Sequence, residues 1–327
     1  MTGTDPRSVP EFADVVAAAG RIAPHVRRTP VVRSEAFDAR VGRSVFFKCE
    51  NLQRGGAFKY RGALNAILPL AGRQDVRAVA THSSGNHGLA VTLAARVCGL
   101  RALIVVPRDA SRAKVAAIER AGGELSFCEP GIAAREAALA ALIERESAHV
   151  VHPFDDARVI AGQGTAALEL AGEVSGLDVV CVPVGGGGLI GGTALAIKGA
   201  LKGCTVIGAE PEEADDAARS FRSGVRQAAG NPRTIADGLR GSIGVLNFEL
   251  LRRHADDVVT VSEREIVEAM RVVLEDLKLL VEPSSAVAVA ALLSGRLPAA
   301  AKQVGIVLSG GNVDLTQCPF LRGERVG

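Results

Sequence analysis

The sequence predicts an α/β protein built on parallel sheets and folded as two lobes around a cleft. Three observations carry that expectation. Short β-branched runs alternate with Ala-rich stretches of helical period along almost the whole chain, the pattern of repeated βαβ units. Patches dense in Gly and Pro at 52–57, 82–88, 185–192, 230–244 and 309–312 fall mostly where a strand hands over to a helix. In parallel sheets that is the edge at which ligands bind. A length of 327 residues, 48% of them hydrophobic and 23% charged, supports a large core in a chain that α/β enzymes often divide into two lobes.

Taken in order, the Ala-rich and amphipathic stretches predict helices over 9–23, 58–70, 86–98, 111–121, 133–146, 158–174, 188–201, 262–277 and 284–294. Most begin beside Ser, Asp, Asn or Gly, residues that cap or open a helix. The short β-branched runs predict strands over 44–48, 77–81, 102–106, 149–151, 178–184, 204–209, 257–261 and 303–308. The longest stretch without periodicity runs from Gly230 to Asn247 and suits an active-site loop or a flexible excursion. No fixed-period repeat or low-complexity tract interrupts the pattern.

Composition narrows the partner class. The net charge is +2 with dispersed basic residues, and aromatics make up 3% with no Trp and one Tyr. Neither a nucleic-acid footprint nor a membrane surface is expected, which leaves small molecules. The six cysteines form no C-x-x-C pair, as free thiols in a reducing compartment would. The opening MTGTDPRSVPEFADVV has no apolar core of a signal peptide, and no apolar run is long enough to span a bilayer, so a cytoplasmic location is expected.

Four patches can carry chemistry. In VVCVPVGGGGLIGG a buried-looking strand runs into Gly185, Gly186, Gly187 and Gly188 and then an Ala-rich helix. Such a turn offers free N–H groups at the positive end of a helix dipole, which suits phosphate; a tight turn needing positive φ accounts for one or two glycines more readily than for four. The same patch satisfies G-x-G-x-x-G through Gly186, Gly188 and Gly191, with Glu210 nineteen residues beyond Gly191. A dinucleotide site therefore stays open on spacing, whereas Walker-type chemistry is excluded by the missing G-K-[ST]. In KCENLQRGGAFKYRGALNAI, Lys59 follows a Gly-Gly turn at the start of a helix with apolar Phe58, Ala63 and Ile67. A solvated lysine and a buried nucleophilic amine fit that placement equally, since burial lowers a lysine pKa. THSSGNHGLAV sets Ser83, Ser84, Asn86 and His87 around Gly85 ahead of a helix. These groups suit a carboxylate or an aromatic hydroxyl, or else simple helix caps worth about 1 kcal/mol. LSGGNVDL ends a strand at Ser309 before a Gly-Gly turn, with capping again the plain alternative.

Together and in this order, the four patches resemble the serine and threonine dehydratase family of pyridoxal-phosphate (PLP) enzymes, which includes serine racemase, over nearly the whole chain. KCENLQRGGAFKYRGA is similar to its lysine motif, SSGNHG to its substrate loop, HPFDDARVIAGQGT to its central linker, VPVGGGGLIGG to its phosphate cup and LSGGN to its pyridine-nitrogen motif. The resemblance implies fold type II, the tryptophan synthase β-like arrangement of two three-layer parallel-sheet lobes with the cofactor between them. A large domain of 1–72 plus 151–327 would carry an inserted small domain of 73–150. Lys59 would bind PLP covalently beside Phe58, Asn86 would meet the ring hydroxyl, Gly185 to Gly188 with Leu189 would hold the phosphate, and Ser309 would meet the pyridine nitrogen. A hydroxyl there leaves the nitrogen neutral and the electron sink moderate, which favours elimination. The implied reaction converts serine, threonine or 3-hydroxyaspartate to a 2-oxo acid and ammonia. Lys59 would take the Cα proton; Ser83, Ser84, Asn86 and His87 would bind the substrate carboxylate. Ser84 could also donate a proton on the face opposite Lys59, which opens racemisation.

VIGAEPEEADDAARS resembles the serine racemase side of the family, where two carboxylates and a backbone carbonyl hold a divalent cation. Glu210, Asp216 and the Ala214 carbonyl fit that set, whose oxygen ligands suit Mg²⁺, Ca²⁺ or Mn²⁺; a solvated acidic loop is the plain alternative. Arg135, in GIAAREAAL, aligns with an arginine that contacts substrate acids and points to a dicarboxylate, against the plain reading of a solvated helix arginine. Ser242, in NPRTIADGLRGSIGV, would approach the ligand. The family also implies a homodimer and a small amino-acid substrate. Departures are specific: the usual T-G-S-F-K reads Gly55-Gly56-Ala57-Phe58-Lys59, Leu89 replaces a glutamine associated with nucleotide regulation, and Phe154 stands where animal serine racemases have asparagine. The chain ends soon after LSGGNVDL, so the regulatory domain of biosynthetic threonine dehydratase is not expected. Rival readings are a PLP β-replacement enzyme, a Rossmann-type NAD-dependent oxidoreductase using Glu210 as ribose acceptor, and a catalytically silent metabolite binder.

Overall fold

The computed structural model describes residues 8–318 and 320. Its strands are β1 (Val31–Val32), β2 (Ser44–Cys49), β3 (Ala78–His82), β4 (Arg101–Pro107), β5 (Glu124–Cys128), β6 (His149–Val150), β7 (Val179–Pro183), β8 (Thr205–Pro211), β9 (Asp257–Val261) and β10 (Gln303–Leu308). Its helices are α1 (Phe12–Ile22), α2 (Glu35–Val41), α3 (Lys59–Ile67), α4 (Asn86–Val97), α5 (Arg112–Ala121), α6 (Ile132–Glu146), α7 (Ala157–Glu173), α8 (Gly188–Ala200), α9 (Asp216–Ser223), α10 (Val245–His254), α11 (Glu263–Val272) and α12 (Pro283–Leu293).

Two sheets result. One has the order β1-β2-β10-β7-β8-β9, parallel except for β1; the other has the order β5-β4-β3-β6 and is parallel throughout. Every residue of β7 is buried, as expected of a central parallel strand covered on both faces. One apolar cluster joins the large sheet to α11 and α12, and a second joins its other face to α7, α8 and α10. The small sheet packs α3 and α4 on one face and α6 on the other. Both units are therefore three-layered.

Glycines let the central helices touch. A Cβ on Gly164 of α7 would lie 2.5 Å from the Gly192 carbonyl of α8, and one on Gly162 would lie 2.7 Å from the Arg61 carbonyl of α3. A buried ion cluster fixes α3 as well. Arg61 pairs with Glu50 and Glu169 at 2.7 Å each, and Lys48 pairs with Glu169 at 2.7 Å. Bidentate geometry and mutual burial make that cluster costly to break at either end.

Five elements lie outside the predicted set: β1, β5, α2, α9 and α10. β5 is an edge strand whose Glu124 and Phe127 are exposed, so it lacks the apolar run that marks a buried strand. α2 has seven residues and buries only Phe37, too little for a periodic signal. The predicted aperiodic stretch is shorter than expected, because α10 begins at Val245. The helix predicted over 262–277 also divides, with α11 giving way to a π turn at Val273–Leu277 that ends on Lys278 at φ 61°.

Candidate active site

Backbone bonds stitch together three segments far apart in sequence. Phe58 N–H donates to the Ser309 carbonyl at 2.9 Å, Gly311 N–H to the Gly56 carbonyl at 2.9 Å, and Glu282 N–H to the Gly310 carbonyl at 3.0 Å. There is no room for side chains at these turns. A Cβ on Gly56 would lie 2.3 Å from Asn312 Oδ1, and one on Gly310 would lie 2.6 Å from Glu282 Oε1. Gly56 also sits at φ 73°, which glycine alone adopts without strain.

Lys59 opens α3 beside this junction. Its Nζ donates to the Pro153 carbonyl at 2.8 Å and lies 5.1 Å from the centre of the Phe58 ring. Burial pushes its pKa down from 10.5 to about 8, while the Glu282 carboxylate pulls it back up. A substantial neutral fraction near pH 8 gives the amine a lone pair for nucleophilic and base chemistry.

The glycine turn lies one chain step away. Gly185 to Gly188 join β7 to α8, with Gly187 at φ 88° as the cap and Leu189 buried in the first turn. The Gly186 carbonyl accepts from Gly244 N–H at 3.1 Å and from Asn247 Nδ2 at 2.9 Å. A Cβ on Gly185 would lie 2.9 Å from Leu239 Cα, one on Gly186 would lie 2.3 Å from the Phe154 ring, and one on Gly187 would lie 2.7 Å from Asn247 Cβ. The first N–H groups of α8 stay available at the positive end of the helix. Pro153 holds the amine and the adjoining Phe154 walls the turn. A nucleophilic amine one residue step from an anion-receptive turn suits an aldehyde that carries a phosphate, so these residues fit PLP.

β3 delivers the remaining polar groups. Ser83 Oγ accepts from Gly85 N–H at 3.3 Å, and Ser84 is half-buried between them. Asn86 Nδ2 donates to both Glu282 oxygens at 2.8 and 3.0 Å, and its Oδ1 accepts from Asn312 Nδ2 at 2.9 Å. His87 is buried with Nε2 3.1 Å from the Val151 carbonyl and Nδ1 without a partner. Burial first, and then Lys59, pushes its pKa well below the usual range. Arg135 lies one turn into α6, half-buried, with Nε buried and unpartnered. Ser242 Oγ accepts from Ala229 N–H at 2.9 Å and so braces its own loop.

The side chain that sequence reasoning missed is Glu282. It is buried, and desolvation pushes its pKa up to about 7, opposed chiefly by the bonds from Asn86. In sequence it reads as an ordinary residue before Pro283 at a helix start. Nothing local indicates that its side chain meets Asn86, 196 positions earlier.

Residues 22–310 match the family described as pyridoxal-phosphate dependent enzyme. The chain belongs to that family. Within it, the chain is 44% identical over 312 residues to the β-hydroxyaspartate dehydratase of Paracoccus denitrificans, covering 95% of this chain and 99% of that protein. It is 47% identical over 310 residues to a serine racemase of Arabidopsis thaliana, covering 93% and 94%. The structure of serine racemase from Dictyostelium discoideum superposes with a TM-score of 0.90 at 43% identity, covering 94% of this chain and all of that one, 100%. PLP is therefore the cofactor of this family member, and fold type II is its architecture.

Family membership overturns the dinucleotide reading of Glu210, and its environment supplies the physical reason. Glu210 is fully buried and accepts from Ala217 N–H at 3.2 Å and Ala218 N–H at 2.8 Å, closed off from any ribose. Its neighbour Asp216 accepts from Ile243 N–H at 2.8 Å through Oδ2, while its buried Oδ1 has no partner. Burial and then Asp216 push Glu210 well above the usual carboxylate range; burial pushes Asp216 up to about 6. Ala214 is buried in the intervening 3₁₀ turn, Glu212–Ala214. Among the described residues no three His, Cys, Asp or Glu side chains converge, so two carboxylates are all the side-chain ligands this corner offers. Two facing buried carboxylates with an orphaned oxygen fit a hard divalent cation. Among the described residues no helix is long and apolar enough to cross a membrane.

Proposed function

We propose that the chain removes water from a small β-hydroxy amino acid, with 3-hydroxyaspartate the substrate its site fits best, and releases a 2-oxo acid and ammonia. The observation that carries this reading is Lys59, whose amine combines a pKa near 8 with a position one step from the glycine turn. PLP bound there supplies the electron sink for charge released at the substrate Cα. Lys59 would hold the cofactor and, as a neutral amine, would take the substrate Cα proton. Phe58 would flank the ring, Gly185, Gly186, Gly187, Gly188 and Leu189 would hold the phosphate, and Ser309 would meet the ring nitrogen. Asn86, tied to Glu282, would orient the ring hydroxyl.

Ser83, Ser84, Asn86 and His87 take the α-carboxylate, with Ser242 beside them. Arg135 favours a second acid on the substrate, because its buried Nε lacks any partner in the protein. The 44% identity to a β-hydroxyaspartate dehydratase supports the same substrate. Racemisation is the second reading, supported by the 47% identity to a serine racemase and by Ser84 as the proton donor facing Lys59. Glu210, Asp216 and the Ala214 carbonyl would hold Mg²⁺, Ca²⁺ or Mn²⁺, and a homodimer is the working assembly. Residues 73–150 form the small domain against a large one of 1–72 plus 151–327. The test is a visible spectrum followed by a substrate panel. The purified protein should absorb in the violet and bleach with borohydride, Lys59→Ala should lose the band, and L-serine, L-threonine and 3-hydroxyaspartate isomers should be ranked by ammonia release. A wild type that stays colourless after reconstitution with PLP ends this reading.

A further inference from the structure

We infer that Asn247, in the first turn of α10, is a positioning residue for the cofactor phosphate: its side-chain amide fixes the peptide between Gly186 and Gly187, an inference resting on the reading that the glycine turn holds that phosphate. Asn247 is fully buried, and its Nδ2 donates to two carbonyl oxygens, that of Gly186 at 2.9 Å and that of Phe154 at 2.9 Å. Both amide hydrogens are therefore used. The amide can face only this way, since turning it over would set Oδ1 against the same two oxygens. Oδ1 is instead buried without a partner. A buried amide with an orphaned oxygen is costly, and what the other end of the amide holds accounts for it.

The local chain brings Asn247 to the turn. Asp155 accepts from Val245 N–H and Leu246 N–H at 2.9 Å each, which seats the start of α10 on the linker. A helical Cβ leans toward the helix start, so the third residue of α10 reaches back over it. The approach is close: a Cβ on Gly187 would lie 2.7 Å from Asn247 Cβ. The Gly186 carbonyl accepts from Asn247 and also from Gly244 N–H at 3.1 Å, so it points at α10. Among the described residues no peptide bond is cis, and in a planar trans peptide the next N–H points the opposite way. Gly187 N–H is therefore turned away from α10, and it has no acceptor among the described residues. It adds to the free first N–H groups of α8 as a donor for an anion. Without the Asn247 amide, a peptide between two glycines rotates readily and that N–H is no longer preset. Lys59 is held separately. Its acceptor Pro153 belongs to a linker that His152 Nδ1 also ties down, accepting from Phe154 N–H at 3.3 Å and Asp155 N–H at 2.8 Å.

The experiment titrates the full-length apoprotein, as wild type, Asn247→Ala and Asn247→Asp, with inorganic phosphate, with PLP and with pyridoxal, which lacks the phosphate. Asn247→Asp keeps the side-chain shape and removes the amide donors. Phosphate and PLP should each bind about tenfold more weakly to both variants, the scale of losing two neutral hydrogen bonds. Capture of pyridoxal by Lys59, read from the violet band, should stay within about twofold of wild type. The phosphorus resonance of bound PLP should move toward that of free PLP in both variants. A fall in pyridoxal capture equal to the fall in phosphate binding would mean a general packing role and overturn the assignment. Unchanged phosphate binding in both variants would overturn it too, as would a loss in Asn247→Ala that Asn247→Asp does not share. If the wild-type apoprotein binds no phosphate and holds PLP no more tightly than pyridoxal, the glycine turn is not the phosphate site and both readings fall.

Discussion

At Lys59, burial and a carboxylate pull in opposite directions. Desolvation lowers the amine pKa to about 8, and Glu282 limits the fall. Glu282 is itself pushed from 4.5 to about 7 by burial. The sign of its effect on folding follows. Its folded-state pKa is raised, so the unfolded chain releases this proton first, and stability is lost as pH rises from about 4.5 to 7. Glu282→Gln should remove that loss, so the apoprotein should gain on the order of 3 kcal/mol at pH 8 and little at pH 4.5, read from denaturant unfolding. The same variant should move the pH midpoint for PLP capture by the apoprotein below the wild-type value near 8, since the ammonium loses its stabilising anion. Lys59 was legible as a residue beside two glycines. Glu282 was not, because its partner Asn86 is brought near only when α4 and α12 meet.

The corner between β8 and α9 is where an element decides chemistry. β8 delivers Glu210, and α9 begins at Asp216 and turns two of its N–H groups onto Glu210. The helix start eases one buried carboxylate but leaves the pair repelling, which is a cost a cation would remove. Mg²⁺ or Ca²⁺ should raise the melting temperature of the wild type at pH 8, and a cation at about 100 times its Kd contributes about 2.7 kcal/mol. Asp216→Asn should abolish that response and melt higher than the wild type in EDTA, because an amide N–H replaces the orphaned oxygen. An equal cation response in both proteins would remove the metal from this corner. The acidic run was visible in sequence, and so was its resemblance to a cation loop. α9 itself was not, since it is eight residues long and mostly polar.

Across the whole molecule, the site depends on two sheets being held together. α3 packs on the small sheet yet carries Lys59 to Pro153, while the glycine turn belongs to the large sheet. Lys114 of α5 also pairs with Asp237 across the cleft, but both side chains are partly exposed and such pairs are worth about 0–1 kcal/mol. PLP held between Lys59 and the glycine turn would be the stronger clamp. Stripping PLP with hydroxylamine should lower the melting temperature by several degrees, inorganic phosphate should restore part of the loss, and Lys114→Ala should change it far less. Sequence alone determined the alternation of strands and helices, the parallel sheets, the glycine turn and Lys59, because each is written in local periodicity or in consecutive glycines. Only the tertiary structure decided which polar groups are left without partners. Glu282, Arg135 and Asp216 are singled out by burial and by neighbours from other elements, and desolvation cannot be read from residues adjacent in the chain.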